Sequence, residues 1–299
     1  MTDVSEVPAR AAAPVPSAAE LAERYGMQKA GARPPLGAYA RDVWGRRYFV
    51  LSFARSRTAA GYSGAFLGQF WQVLTPLLNA AVYYLIFGLL LRTDRGVDNY
   101  IAFLVTGIFV FQFTANAVTA GAKAISGNLG ITRALHFPRA VLPAATTMIA
   151  LQKLLVSMLV LLPIVLATGE RPTARWLLVV PAIALQTMFA TGCGFAMARV
   201  GAQVPDTAQF LPFVMRTWLY LSGIFYSITV FAERFHHAWI AHVLLVNPAA
   251  VYIELVRDAL LAKHDTTGYE WPVAVAWALV ALVAGLVYFW RAEERYGRG

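Results

Sequence analysis

The chain has 299 residues, 59% of them hydrophobic and only 14% charged, with a formal net charge of +9. A soluble domain carries about 25% charged residues, and the apolar surplus here is gathered into runs of roughly 20 residues, enough helix to cross a hydrocarbon core of about 30 Å. A soluble globular protein is therefore excluded, and the positive charge is read first as membrane topology and not as nucleic-acid binding.

Residues 1–36 are rich in Ala, Pro and Glu, and Pro14 and Pro16 interrupt their one alanine run. No signal-peptide core forms there, and the segment is expected to be a disordered cytoplasmic tail. Residues 37–65 mix aromatic and basic side chains. Trp44, Tyr48, Leu51 and Arg55 recur at helical spacing, with Arg41, Arg46, Arg47 and Arg57 around them. That pattern predicts an amphipathic helix in the membrane interface, apolar side down and arginines at the headgroups.

Residues 66–299 predict an all-α integral membrane domain of six spans, near 67–91, 100–119, 141–168, 175–199, 207–230 and 271–290. The segment 120–140 carries Lys123, Arg133 and Arg139 and no acid. The segment 231–270 holds apolar stretches too short to span, broken by Pro248, and predicts re-entrant or surface helices between spans five and six. With the N-terminus inside, the inner segments hold 16 Lys and Arg and the outer ones seven, Arg257 among the latter. Both termini are thus expected in the cytoplasm.

No catalytic constellation is legible. There is no phosphate-cradling Gly-rich loop with its Lys, and no strained Gly-x-Ser-x-Gly elbow. His236, His237 and His242 cluster without a cysteine partner and read as polar surface, so no metal site is expected. Cys193, the single cysteine, lies between two glycines and reads as an apolar filler.

Two spans carry polar stripes. Gln72, Asn79 and Tyr83 share one helical face of the first, with Thr75 and Pro76 between them. Gln209, Phe213, Arg216 and Tyr220 do the same on the fifth. Polar groups facing lipid are costly, so such faces turn toward protein or a water-filled path. Sugar rings have apolar C–H faces suited to Tyr and Phe, and hydroxyls suited to Gln and Asn.

Several patterns in order resemble one known family. Leu67, Gly68, Gln69, Phe70 and Trp71, then Thr75 and Pro76, open the first span, and Tyr100 to Gly107 enter the second. Asn128 to Arg133 and Phe137, Pro138, Arg139, Ala140, Val141, Leu142 and Pro143 precede the third. Asn247 and Pro248 follow the long outer segment, with Arg257 ten residues later, and Arg291 to Tyr296 form a short charged tail. From the interfacial helix onward, the chain resembles an ABC type-2 permease of the branch exporting O-antigen, capsule, teichoic acid or galactan.

The resemblance implies a homodimer of this chain joined to two copies of an ABC ATPase in the bacterial inner membrane. No cofactor is implied on this chain, with ATP and Mg bound by the ATPase. It implies that 120–140 holds the coupling helix, with Asn128 and Arg133 facing the ATPase. The implied substrate is a polyprenyl-pyrophosphate-linked glycan, whose negative head would meet Arg46 and Arg47 first. An alternative in the same architecture is a permease for drugs or small lipids. A membrane glycosyltransferase or lipid-phosphate enzyme would need acidic or His groups at the headgroups, where Asp206 and a scatter of outer acids are all that stand.

Overall fold

The computed structural model describes Ser17, Glu20, Leu21, Arg24 and Tyr25 and residues 34–61, 68–90, 97–134, 137–228, 243–264 and 268–296. The tail to Pro34 forms one unit and Pro35–Gly299 the other. His236, His237 and His242 lie outside the described residues.

Every regular element among the described residues is helical. They are α1 (Leu36–Gly45), α2 (Arg47–Ala60), α3 (Trp71–Tyr83, continued by a π-type stretch Tyr84–Leu90), α4 (Tyr100–Ala122), α5 (Leu129–Ala134), α6 (Val141–Ala167), α7 (Val179–Gln203), α8 (Thr207–Tyr220), α9 (Pro248–Leu260) and α10 (Glu270–Trp290). Among the described residues, four stretches are long and apolar enough to cross a membrane: Tyr100–Ala122, Val141–Ala167, Ala174–Gln203 and Glu270–Trp290.

Helix α4 is almost wholly apolar and largely buried, and is accordingly the central helix. Asn99 caps its start by accepting from the backbone N–H of Ala102, and α6, α7 and α9 pack around it. Helices α7 and α10 cross at glycine. A Cβ on Gly285 would lie 2.0 Å from the Gly192 carbonyl oxygen, and one on Gly192 would lie 2.2 Å from the Ala281 backbone. Only glycine lets the two backbones touch there.

Three expectations are revised. The aromatic-basic segment is not one helix but two, meeting at Arg46. Of these, α2 packs Val50 against Val141 and Ala145 of α6, while Trp44 and Tyr48 remain exposed. The fifth apolar run does not continue as helix to residue 230. It stops at Tyr220, and the chain turns through Gly223 at φ +64°, a left-handed conformation suited to glycine. Finally, of the re-entrant or surface helices expected after span five, α9 removes the surface alternative: Val251, Tyr252, Ile253, Leu255, Val256 and Leu260 are all buried, and Arg257 is fully buried instead of lying in an outer loop.

The connections fall at two ends of this unit. At one, Asn99 donates to Thr168 Oγ1 and Glu170 Oε1, Ala262 N–H donates to Glu170 Oε2, and Lys263 pairs with Asp98 at 3.0 Å. At the other, Tyr39 donates to Glu293 at 2.7 Å, Arg139 binds Glu293, and Arg199 donates to the Tyr288 carbonyl. Burial pushes the Glu293 carboxyl above the usual range, against the opposing pull of the Arg139 N–H, the Tyr39 hydroxyl and the Arg139 charge.

Candidate functional site

A cavity of about 210 Å3 opens between α3, α4 and α6. Helix α3 contributes Trp71, Gln72, Thr75, Pro76 and Asn79, so two of the expected path residues, Gln72 and Asn79, share one wall. Helix α4 adds Ile108, Phe109, Gln112 and Asn116, and α6 adds Lys153 and Ser157. Gln112 Nε2 donates to Asn116 Oδ1 at 3.1 Å, one helical turn on. The sequence reading missed these α4 and α6 groups. Their signal was present: Gln112 and Asn116 stand at i and i+4 in an otherwise apolar helix, and Lys153 is a cation inside a span.

Tyr83, beyond this cavity, packs with its ring centroid 5.4 Å from that of Phe225. Phe225 also stacks on Phe87 at 4.1 Å and meets Tyr220 at 5.5 Å. The α3 and α8 stripes therefore converge at their tyrosine ends, around a residue of the turn that follows α8. The remainder of the α8 stripe does not join the cavity. Gln209, Phe213 and Arg216 form with Tyr220 an exposed face opposite buried Leu211, Met215 and Leu219. Arg216 makes no ion pair with any described residue.

The turn after α8 is held by two side chains of the following segment. Arg257 donates to the carbonyls of Phe103, Gly223 and Ile224 and pairs with Glu254 at 2.8 Å. Its guanidinium also lies 3.3 Å from the centroid of the Phe103 ring. Asn247 caps α9, accepts from Trp218 Nε1 at 2.8 Å and donates to the Leu221 carbonyl at 2.9 Å. Carbonyls that lost their helical donors at the break are thereby satisfied.

Arg46 and Arg47 are exposed at the α1–α2 junction. The Arg47 guanidinium sits 4.7 Å from the Tyr48 ring centroid and 5.9 Å from that of Trp44. In the segment after α4, Asn128 accepts from Arg57 of α2 at 2.6 Å and donates to the Ala124 carbonyl at 2.9 Å. Its own carbonyl accepts from the Thr132 hydroxyl. Arg133 is exposed in the last turn of α5. The structure thus separates the two expected coupling residues, turning Asn128 toward α2 while Arg133 stays at the surface.

Residues 50–261, from within α2 to just past α9, match the family described as ABC-2 type transporter. The chain belongs to the ABC-2 type transporter family. It is 29% identical over 237 residues to the O-antigen export system permease protein RfbA of Klebsiella pneumoniae, covering 79% of this chain and 88% of that protein. It is 24% identical over 255 residues to RfbA of Myxococcus xanthus, covering 85% and 93%. It is 25% identical over 233 residues to the polysialic acid transport protein KpsM of Escherichia coli, covering 76% and 87%. As an ABC-2 protein it is the multi-pass membrane component of a transporter that works with a partner ATPase. The family match takes in the cavity, the α8 face, the Asn128 segment and buried Arg257.

Proposed function

We propose that this chain is the permease of an ATP-driven exporter that carries polyprenyl-pyrophosphate-linked polysaccharide from the cytoplasm to the outer side of the inner membrane. Two copies form the membrane part, and two ATPase subunits bind ATP and Mg and dock at 120–140, with no cofactor on this chain. The observation that carries the reading is the pair of polar and aromatic faces on α3 and α8 within an otherwise apolar helical unit. Gln72, Asn79, Tyr83, Gln209, Phe213, Arg216 and Tyr220 are the residues we assign to the path. Amides there suit sugar hydroxyls, and the rings suit the apolar faces of sugars. The names of the relatives, O-antigen export and polysialic acid transport, point to the same substrate class. Arg46 and Arg47, exposed beside Trp44 and Tyr48, suit the anionic head of the carrier at the cytoplasmic face.

The test is deletion of the gene with complementation. Surface polysaccharide should disappear, carrier-linked polymer should accumulate inside, and only the chain together with an active ATPase should restore export. Unchanged surface polysaccharide with altered drug or lipid efflux would replace this reading with that of a small-substrate permease.

A further inference from the structure

Lys153 stands near the middle of α6, roughly 18–21 Å of helix from either end. A charge at that depth is costly unless something compensates it. The cavity that Lys153 lines contains no carboxylate, and its ammonium bonds to none of the described residues. The nearby hydroxyl of Ser157 donates to the Lys153 backbone carbonyl at 3.0 Å. Facing the lysine across the cavity are uncharged amides. Gln72 and Asn79 make no side-chain hydrogen bond among the described residues, and Asn116, whose Oδ1 is occupied by Gln112, keeps its Nδ2 hydrogens available.

The exposed Lys153 and the amide side chains thus line one open volume of about 210 Å3, whose lining holds no carboxylate. We propose that Lys153, with Asn79 and Asn116, is an oxyanion subsite at mid-membrane depth, taking a phosphate of a lipid carrier or a carboxylate of an acidic sugar. The ligand supplies the missing negative charge, and charge-assisted hydrogen bonds hold it. The inference rests on the export reading, because the ligand is the exported molecule.

The test uses this chain assembled with its ATPase in nanodiscs. Four probes are compared: undecaprenyl pyrophosphate, uncharged undecaprenol, a glucuronate-containing tetrasaccharide and its glucose counterpart. The unsubstituted protein should prefer one charged probe over its neutral partner, and the preferred pair names the source of the anion. Lys153→Gln should weaken that binding about tenfold or more and narrow the preference to what Arg46 and Arg47 retain, while Lys153→Arg should stay within about threefold. Asn116→Leu leaves the lysine in place and should weaken the same binding by about threefold, reading the site independently. No charged-over-neutral preference in the unsubstituted protein, or a preference undiminished in Lys153→Gln, overturns the subsite. The export reading fails separately, when deletion of the gene leaves surface polysaccharide unchanged.

Discussion

Arg257 has no exposure at all, and its guanidinium is occupied by three carbonyls, one carboxylate and an aromatic face. Truncating it would leave the Gly223 and Ile224 carbonyls buried and unpaired and would leave Glu254 with His264 as its remaining partner. Arg257→Leu is therefore expected to cost about 3–5 kcal/mol and to reduce the yield of folded protein sharply. Lys should rescue little, since one ammonium cannot reproduce the planar fork. Gly107→Ala should act in the same direction, because its Cβ would lie 2.6 Å from Arg257 Nη2. Thermal unfolding of the purified protein measures all three, and an unchanged Tm for Arg257→Leu would remove its anchoring role. Arg216 is the contrasting residue, exposed and without an ion pair among the described residues. Arg216→Leu should leave folding and ATPase assembly intact and slow export per assembled complex, with Lys restoring part of the rate. A normal rate per complex would take it out of the path. Sequence alone could separate neither case. Both are arginines near apolar runs, and what distinguishes them is whether carbonyls from distant segments close around the guanidinium.

At the level of elements, the long apolar helices were legible because twenty or more apolar residues leave few alternatives. The first-span stripe was legible in part, since Gln72 and Asn79 do line one cavity while Tyr83, the third of that face, lies beyond it. The stop at Tyr220 was not, because aromatic residues run on without a proline to mark it. What ends the helix is left-handed Gly223, together with donors from Asn247 and Arg257. The Arg57–Asn128 bond was equally hidden, as its partners lie far apart in the chain. It predicts how the segment after α4 works. We expect Arg57→Ala and Asn128→Ala each to lower transport-coupled ATP hydrolysis several-fold, and the double variant to be no worse than the stronger single one, because both remove one contact. Arg133→Ala, acting at the exposed end of α5, should add to either, and Asn128→Ala with Arg133→Ala should uncouple hydrolysis from export without impairing insertion. Coupled ATPase rates in proteoliposomes decide this. Additive effects of Arg57→Ala and Asn128→Ala would place Asn128 in contact with the ATPase and not with α2.

At the scale of the molecule, the question is how many times the chain crosses. Among the described residues only four stretches meet the length and hydropathy needed for crossing, yet from the positions of the connections we expect six crossings. Arg57 touches Asn128 just past the last turn of α4, while Asn99 marks the first turn of that helix. The chain between residues 61 and 97 must therefore travel the whole length of α4, which α3 and its π-type extension can do. Gly201 lies against Ala122 at the last turn of α4, whereas near its first turn the Phe225 carbonyl accepts from the Tyr100 hydroxyl and Gly223 shares Arg257 as a donor with Phe103. Helix α8 and the turn after it must make the same journey, although 14 helical residues reach only about 21 Å. Helix α9 runs between Asn247, bonded to Leu221, and Leu261, beside Glu170. Both its ends stay toward the same side, which suits a re-entrant element. In a six-crossing layout with Arg257 buried, the inner connections would carry 16 Lys and Arg against six outside, and from that bias we expect both termini inside. Reporters at Arg10, Asp94 and Asp265 test this. Six crossings put Arg10 inside and both Asp94 and Asp265 outside. If only the four long stretches cross, Asp94 shares a compartment with Arg10 while Asp265 remains opposite. The Asp94 reporter therefore decides whether α3 carries its polar face through the membrane, and an inward result there would remove Gln72 and Asn79 from any transmembrane path.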